Sequence, residues 1–586
     1  MDDNGGALRK VAPILAPALA ALVVLVIYGT IAGTAGSELG SRTPGEDFYN
    51  RLIDGFAKGQ LSLDLAPPAG LALLPDPYDP RANAPFQGQA YEPGRYHDLS
   101  YYHGRFYLYF SVVPAVVLFL PFHVLTGAYV SHQEACFIFC CIGFLAAAAL
   151  VDSIRRHHFP SAGPVAAALC TLCVGLASLI PVVLQRPDVW EVPITCAYAC
   201  WMCALLLLWS YLQGPARSWP KALGAALAVG LAIGCRPNSF LGGALLLWPL
   251  ARLLRERPPG RAVVFSALLL PPAVIGAALL AYNQARFGSV IDFGQNYQIA
   301  GDVERIRHFR LSFVWYNFRL YFLEYPGWQS AFPFVRDLRP PPYPDGYVVV
   351  ETPVAILTEL PFILCAAVIP FWLRRGQGGQ HQPLVAIFGA MLVLIVAGVG
   401  SLSLYFAAAV RYQMEFVPLL AVMAAIGFLA LVTSGPRAPG LRKALVGLAG
   451  AAAALSIAFN LLMAANQRGL TDTRRGVTAL RAGRSDEAGD LFRRALRLRP
   501  ATDIARVDLA NILVHQEKYA EAGAELARAI ALLPNSAALH LNYAYCLFRV
   551  GRLREALAEC DMAIRLQPDL PNAGQIERAI RASLGP

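Results

Sequence analysis

A chain of 586 residues is too long for one ordinary domain. Its composition, 56% hydrophobic and 15% charged with a mean hydropathy of +0.47, predicts a polytopic membrane protein rather than a soluble one. The net charge of +10 is no sign of nucleic-acid binding, because Arg and Lys concentrate in short loops between apolar runs, where they orient a membrane protein.

The first apolar run, residues 11–33, carries no charge and begins directly after Arg9 and Lys10. It has no small-residue cleavage site followed by a soluble domain, so we interpret it as a retained signal-anchor helix with a cytoplasmic N-terminus. The stretch "TPGE", residues 43–46, then has the pattern of a capping box, with Thr43 at the N-cap and Glu46 three positions on. This gives Glu46 a structural role and leaves Asp47 without one.

The residues after the capping box have the periodicity of an amphipathic helix, which we expect to lie on the outer membrane surface. Its apolar face carries Phe48, Leu52, Ile53, Phe56 and Leu61. Two charged pairs at i,i+4 spacing are predicted on the other face: Asp47 with Arg51, and Asp54 with Lys58.

A second polar cluster, "YHDLSYYHGRFYLYF" at residues 96–110, returns to the same predicted surface. Its candidate functional residues are His97, Asp98 and Tyr102. A metal held by His97 and His103 has little support, since no third ligand has a fitting spacing. The apolar stretch 107–127 is interpreted as half-buried on the outer side, because a full crossing there would move the basic loop "RRHH" away from the other basic loops.

The rest of the apolar sequence predicts a total of about eleven crossings. The predicted spans are 11–33, 131–151, 163–184, 193–213, 220–234, 238–254, 262–283, 351–373, 384–404, 412–433 and 441–464. Basic loops follow every second span and define the cytoplasmic side. The membrane domain is therefore predicted over 1–470, with large outer loops at 34–130 and 284–350.

Charged residues recur where the predicted helices reach the outer side. They lie in four segments: Arg186, Asp188 and Glu191 in "QRPDVWEVP"; Arg236 in "CRPN"; Asn283, Arg286 and Asp292 in "YNQARFGSVIDFGQNYQ"; and Arg411, Tyr412 and Glu415 in "AAAVRYQMEFVP". Interfacial charges are functional candidates by default, and several Arg from separate helices predict one anionic ligand such as a phosphate. Alternatively, each Arg pairs with a local acid or extends its head group into water.

The tail, residues 471–586, repeats with a period of 34 residues and has nearly twice the charge density of the whole chain. Pro500, Pro534 and Pro568 mark the period, and Ala495, Ala529 and Ala563 recur in the same register. Small residues at helix crossings with Pro closing each unit resemble the tetratricopeptide repeat, in about three copies. Such arrays bind peptides or proteins, although a packing cap on the membrane domain is an alternative. Cys546 and Cys560 are a possible disulfide in an oxidising compartment.

The remainder of the chain, about 1–464, resembles the GT-C superfamily of membrane glycosyltransferases. This fold is shared by the protein O-mannosyltransferases and the aminoarabinose transferase of lipid A. The resemblance rests on the layout of loops and helices and on "DLSYYHGRFYLYF", "YNQARFGSVIDFGQNYQ" and "RYQMEFVPLL". It implies an all-α bundle that uses a polyprenyl-phosphate sugar, with inversion at the anomeric carbon.

The resemblance also assigns roles to residues. The first-loop catalytic acid of the family matches Asp47, with Glu46 adjacent, its phosphate-binding Arg matches Arg411, and its second-loop acid corresponds to Glu191. The run "EDF" lacks the Asp–Glu order of the mannosyltransferases, and a DxD metal motif is missing from the first loop, so a divalent metal has no support. The candidate catalytic residues are Asp47, Glu46 and Asp98. The candidate substrate-binding residues are Arg411, Tyr412, Arg236, Arg286, Glu191, Arg186, His97 and Tyr102.

Two other functions remain open at this point. One is an oligosaccharide ligase or polymerase with a pyrophosphate-linked donor, which would more often place its key residues in a late loop. The other is a transporter or a membrane-anchored repeat scaffold without catalysis. Ala-, Arg- and Pro-rich usage favours a bacterial source, an inner-membrane location and a periplasmic outer side. The expected partners are the lipid-linked sugar, a protein or glycan acceptor and a protein bound by the repeats. No cofactor is expected to be required.

Overall fold

The computed structural model describes residues 3–35, 48–86, 96, 98–299, 308–325, 327–330, 332–375 and 382–585. The chain divides into two compact units. The first contains Met1–Trp328 and Val335–Ala464, and the second contains Gln329–Phe334 and Ala465–Pro586. The division after Ala464 and the predicted boundary at residue 470 fall inside the same long helix, Pro439–Arg481.

The first unit is built mainly from α-helices. In chain order they are α1 (Asp3–Ala35), α2 (Phe48–Ala57), α3 (Ala69–Ala72), α4 (Leu120–Thr126), α5 (His132–His158), α6 (Pro164–Leu176), α7 (Ile180–Val183), α8 (Glu191–Gln213), α9 (Trp219–Cys235), α10 (Leu247–Glu256), α11 (Arg261–Phe287), α12 (Val314–Phe318), α13 (Ile356–Glu359), α14 (Val368–Arg375), α15 (Gln382–Leu404), α16 (Val417–Ser434) and the first part of α17 (Pro439–Arg481).

Tighter and wider helical turns connect these helices. The 3₁₀ segments are Ala84–Phe86, Pro237–Leu246, Gln295–Tyr297, Leu311–Phe313, Pro361–Ala367 and Val410–Glu415, and the π segments are Ala115–Phe119 and Arg319–Leu323. Two small sheets complete the unit. Strands β1 (Leu99–Tyr102) and β2 (Arg105–Leu108) form an antiparallel hairpin, and β3 (Val349–Glu351) pairs in parallel with β4 (Ala407–Ala409).

Eight helical segments of the described residues are long and apolar enough to cross a membrane. They are Ile14–Thr34, His132–His158, Pro164–Val183, Glu191–Gln213, Arg261–Phe287, Gln382–Leu404, Val417–Ser434 and Pro439–Arg481. Each coincides with a predicted span, so the prediction of a helical, multi-span membrane protein is confirmed.

The other three predicted spans are shorter or interrupted. The span 220–234 is α9, with 17 residues. The span 238–254 is a 3₁₀ segment that continues into α10. The span 351–373 begins with the end of β3, and its apolar helical stretch, Pro361–Arg374, starts only at Pro361. Pro353 and Pro361 lack the backbone donors that a continuous helix needs, which explains the late start.

The stretch 107–127 forms the end of β2 and a short apolar helix, Ala115–Thr126. Twelve helical residues extend about 18 Å, short of the roughly 30 Å of a bilayer core. This agrees with the prediction that the stretch does not make a full crossing. The residues that follow it begin α5, where Ser131 and Glu134 form a complete capping box.

Helix α2 confirms the predicted amphipathic helix from Phe48 onward, but its apolar face packs inside the protein. Tyr49 is fully buried and stacks on Phe119 with ring centroids 4.9 Å apart. The predicted Asp54–Lys58 pair is wrong. The Lys58 Nζ lies 2.7 Å from Asp64, because the chain turns back after the helix.

Close helix packing in this unit depends on glycine at individual contacts. A Cβ added at Gly143 of α5 would lie 2.3 Å from the ring of Tyr198 in α8, far inside van der Waals contact. The hydroxyl of Tyr28 in α1 donates to the carbonyl of Gly175 in α6 at 2.6 Å. These contacts join α5 to α8 and α1 to α6. The same buried core also contains Val192 and Val417, near the N-terminal ends of α8 and α16.

The second unit contains six complete helices after the end of α17. They are α18 (Ser485–Leu498), α19 (Asp503–His515), α20 (Tyr519–Leu532), α21 (Ala537–Arg549), α22 (Leu553–Leu566) and α23 (Ala573–Leu584). Helices α18, α20 and α22 begin 34 residues apart, as the sequence period predicts. Ala495, Ala529 and Ala563 are fully buried. Cys546 and Cys560 are both buried free thiols, so the possible disulfide is not formed.

Candidate functional site

Two arginines from distant parts of the chain meet at one carboxylate. The Oε2 atom of Glu351 accepts a hydrogen bond of 2.9 Å from Nη1 of Arg186 and a second bond from Nη1 of Arg411. Arg186 also has Asp188 beside it, with Nε and Oδ2 3.7 Å apart. We call Arg186, Trp190, Glu351 and Arg411 the arginine clamp.

Local structure brings the clamp together. Strands β3 and β4 pair in parallel with Glu351 opposite Ala409, so Arg411 follows two residues after that partner. Arg186 lies in a tight turn between α7 and α8, held by a hydrogen bond of 3.0 Å from its own N–H to the carbonyl of Val183. The clamp therefore joins the entrance of α8 to the entrance of α16.

Trp190 is the aromatic floor of the clamp. Its ring lies 5.4 Å from the guanidinium carbon of Arg186 and 5.6 Å from that of Arg411, within the range of cation–π attraction. Its indole N–H donates to Oδ2 of Asp98 at 2.7 Å. Asp98 has a positive φ of 61°, which Asp tolerates better than most residues, at the entry to β1. The hairpin of the first loop is thus fixed to the clamp.

Electrostatics keeps the clamp fully ionised. Burial alone would raise the pKa of Glu351, but the guanidinium groups of Arg411 and Arg186 outweigh it and lower that pKa to about 2. Burial would lower the pKa of Arg186, yet Glu351 and Glu191 outweigh it and raise that pKa. The side chains of Glu351 and Arg411 retain 27% and 11% of their exposure, so the clamp is desolvated but not sealed.

Arg236 and Tyr412 lie next to the clamp without joining it. The Nε atom of Arg236 donates to Oε1 of Glu415 at 3.0 Å, and the Nδ2 atom of Asn238 contacts both oxygens of the same carboxylate. Arg236 and Glu415 line one end of a narrow cleft of about 20 Å³, walled mainly by apolar residues. Tyr412 lies under Arg411, with its ring 5.0 Å from the guanidinium carbon.

Arg286 and Tyr102 hold the hairpin against the end of α11. Arg286 donates to the carbonyl of Leu108 in β2 at 3.0 Å and to Asn283 at 2.7 Å, and its guanidinium lies over Tyr282 and Phe287. Within the described part of the chain, Arg286 has no carboxylate within ion-pair distance. Tyr102 packs its ring edge against Phe287. These contacts occupy Arg286 with the protein's own backbone and amide groups.

Glu191 lies at the first position of α8 and is 1% exposed. Its Oε2 atom accepts the backbone N–H of Asp188 at 3.1 Å. This bond closes the turn that carries Arg186. The structure therefore places Glu191 at the turn that carries Arg186.

Three of the candidate residues, Asp47, Glu46 and His97, lie outside the described residues. In the ranges that are described, no group of three His, Cys, Asp or Glu side chains is arranged to hold a metal ion. The expectation that Arg residues from separate helices converge is met by Arg186 and Arg411. The alternative, pairing of each Arg with a local acid, applies to Arg186 and Asp188, whereas Arg236 pairs with Glu415, 179 residues away.

Sequence reasoning missed Glu351 and did not single out Trp190. Glu351 ends the run "VVVE", which the hydropathy pattern merges into a membrane span. Three successive valines followed by "ETP" are typical of a strand that stops before a proline. This pattern indicates that Glu351 ends a strand and does not begin the helix. Trp190 lies between Asp188 and Glu191 and resembles an ordinary interfacial aromatic residue in sequence.

The tail of the chain is similar to known repeat proteins. Models of the tetratricopeptide repeat match residues 473–537 and 513–580. Residues 473–580 are tetratricopeptide repeats. The repeat region is also similar to the first such domain of human RPAP3 (22% identity, 20% of this chain and 91% of that one, TM-score 0.19). A second similar structure is SycD of Yersinia enterocolitica in complex with a YopD peptide (16% identity, 20% and 93%, TM-score 0.19).

A longer structural match covers both units. ArnT from Cupriavidus metallidurans, solved with undecaprenyl phosphate, aligns with 93% of this chain and 79% of its own, at 14% identity and a TM-score of 0.37. No curated protein matches the chain.

Proposed function

We propose that this protein is a GT-C-type membrane glycosyltransferase. It transfers a sugar from a polyprenyl-phosphate donor to an acceptor on the extracytoplasmic side, with inversion at the anomeric carbon. In this proposal Arg411 binds the donor phosphate and Asp47 is the general base. The membrane is the inner membrane of a bacterium, and the clamp and the repeats face the periplasm.

The observation that carries the proposal is the arginine clamp. Two guanidinium groups donate to a single oxygen over a tryptophan ring, at the entrances of two membrane helices. Planar guanidinium groups bind phosphate oxygens in the same way, and a partly desolvated site strengthens that binding. In this proposal the lipid phosphate reaches the helix entrances laterally from the bilayer, while its sugar reaches the aqueous side.

The reaction follows from these groups. Asp47 accepts the proton of the acceptor hydroxyl as that oxygen bonds to the anomeric carbon, a contribution of typically ~10²–10⁴-fold. The bond from the anomeric carbon to the phosphate oxygen breaks, and the polyprenyl phosphate leaves with the electron pair. Arg411 and Arg186 stabilise the negative charge that grows on the phosphate. A single displacement inverts the anomeric configuration.

The proposal includes no required cofactor, because the two arginines supply the positive charge next to the phosphate. Asp98 is proposed to position the hairpin through Trp190 rather than to replace Asp47. The tetratricopeptide repeats are proposed to bind a protein, either the acceptor or a factor that delivers it, since such repeats present a concave peptide-binding surface.

The test is a transfer assay with purified protein in lipid nanodiscs and sugars linked to undecaprenyl phosphate. We expect turnover with a monophosphate-linked donor and near-complete loss of turnover with Asp47→Asn. Asp54→Asn is the control, because Asp54 lies on α2 and accepts a hydrogen bond from the Tyr129 hydroxyl instead. Turnover only with pyrophosphate-linked donors would support a ligase or polymerase instead. Full activity of Asp47→Asn would remove Asp47 as the base.

A further inference from the structure

The contact between Glu351 and the two arginines uses only one carboxylate oxygen. Both Nη1 atoms point at Oε2, so this oxygen lies where the two guanidinium groups converge. A phosphate oxygen that accepts hydrogen bonds from the same two Nη1 atoms would occupy the same place. Glu351 and a phosphate bound through these two atoms are therefore mutually exclusive on the clamp.

The charges of the clamp determine how strongly Glu351 and a phosphate compete for the two arginines. Two guanidinium groups that share one partner atom repel each other, and Glu351 is the acid that bonds to both of them in the described part of the chain. A phosphodiester donor carries one negative charge, as Glu351 does. The released polyprenyl phosphate is a monoester and carries closer to two near neutral pH, because its second pKa is about 6. Without competition, the clamp would hold the product more tightly than the donor.

We propose that Glu351 is an internal competitor of the lipid phosphate. In the unliganded protein it occupies the phosphate-oxygen position on Arg186 and Arg411. The donor displaces it, and its return promotes release of the polyprenyl phosphate product. This inference rests on the proposed function and assigns Glu351 to the regulation of the same site. It requires only a side-chain movement at a carboxylate that retains 27% of its exposure.

The experiment measures binding of undecaprenyl phosphate to the full-length protein in nanodiscs. We expect Glu351→Gln, which keeps the shape and removes the charge, to bind about tenfold more tightly or better than the wild type. In steady-state turnover the same variant should show stronger inhibition by added undecaprenyl phosphate. Glu324→Gln is the matched control. It removes the acid of another Arg–Glu pair, with Arg319, and makes the same change in net charge.

A second pair of variants covers the case in which Glu351→Gln does not fold. Arg186→Gln with Glu351→Gln removes one cation and one anion together and leaves Arg411 as the single charge of the clamp. This double variant should bind undecaprenyl phosphate more tightly than Arg186→Gln alone, which retains the competitor.

Two results would overturn the inference. Equal or weaker binding by Glu351→Gln, together with equal or weaker binding by the double variant relative to Arg186→Gln, would show that Glu351 does not compete. A wild-type protein that binds no undecaprenyl phosphate would overturn the proposed function and this inference together. Wild-type binding without an effect of Glu351 would overturn this inference alone.

Discussion

Trp190 and Asp98, which are 92 residues apart in sequence, are joined by a hydrogen bond of 2.7 Å from the indole N–H to Oδ2. The bond ties the hairpin of the first loop to the floor of the arginine clamp. Through it, the entry to β1 is anchored to the residues that are proposed to bind the donor phosphate.

Loss of the hydrogen bond between Trp190 and Asp98 should reduce activity even when an aromatic ring remains beneath the guanidinium groups. Trp190→Phe retains a ring beneath the guanidinium groups but cannot donate to Asp98, and a hydrogen bond to a charged group contributes about 1.5–3 kcal/mol. We expect kcat/KM for sugar transfer to fall by about tenfold or more. Trp315→Phe is the control, since Trp315 is 65% exposed. Unchanged transfer by Trp190→Phe would show that the bond does not position the site.

Replacement of Arg411 should weaken donor binding in two steps. Arg411→Lys keeps the charge but loses the planar fork, and Arg411→Ala loses both. We expect the KM for the donor to rise by about tenfold for Lys and by more for Ala, because phosphate contacts by guanidinium groups are charge-assisted. Arg319→Ala, at a pair that is 45% exposed on the arginine side, serves as the comparison. A donor KM that is the same in all three variants would exclude Arg411 from the phosphate site.

The stability of the protein should depend on acid through Glu351. Its pKa falls from 4.5 to about 2 on folding, so the ionised carboxylate favours the folded state. This stabilisation is complete above the ordinary carboxyl pKa and is lost as the pH falls from about 4.5 through about 2. We expect Glu351→Gln to unfold at a lower temperature than the wild type at neutral pH, and the difference to shrink as the pH approaches about 3. Thermal unfolding in detergent over this range measures both.

Two glycines in membrane helices should respond differently to alanine. A Cβ at Gly143 would meet the ring of Tyr198 at 2.3 Å, whereas a Cβ at Gly276 would have open space within 4 Å. Overpacking of a core costs typically about 1–3 kcal/mol. We expect Gly143→Ala to lower the unfolding temperature clearly and Gly276→Ala to leave it nearly unchanged. Similar unfolding temperatures for the two variants would contradict the close approach of α5 and α8.

The parts of the fold that were predictable are those encoded in periodic sequence. The 34-residue period places the starts of α18, α20 and α22, because each repeat carries its own small residues and its own breaker. Apolar runs of about 20 residues predict the long helices for a similar reason, since the bilayer sets their length. Both signals are local, and neither requires knowledge of what lies far away in the chain.

The failures concern contacts that neither helix spacing nor hydropathy encodes. Lys58 pairs with Asp64 rather than Asp54 because the chain turns back after α2, and a helix-spacing rule contains no information about that turn. Glu351 and Arg411 meet because β3 pairs with β4, and a parallel pair of three residues has no sequence signature of its own. The convergence of Arg186 and Arg411 could be expected, because both carry positive charge and both were predicted on the outer side of the membrane. The acid that bonds to both of them could not be expected.

The clamp consists of two structural parts, one held by the parallel pairing of β3 and β4 and one between α7 and α8. Glu351 lies in β3, and Arg411 lies two residues after the end of its partner strand β4, whereas Arg186 and Trp190 lie between α7 and α8. Any opening between these parts lengthens the distance from Arg186 to Glu351 and leaves that from Arg411 to Glu351 nearly constant. Probes that measure the distance from Arg186 to Glu351 would therefore detect such an opening, and the distance from Arg411 to Glu351 would serve as the reference.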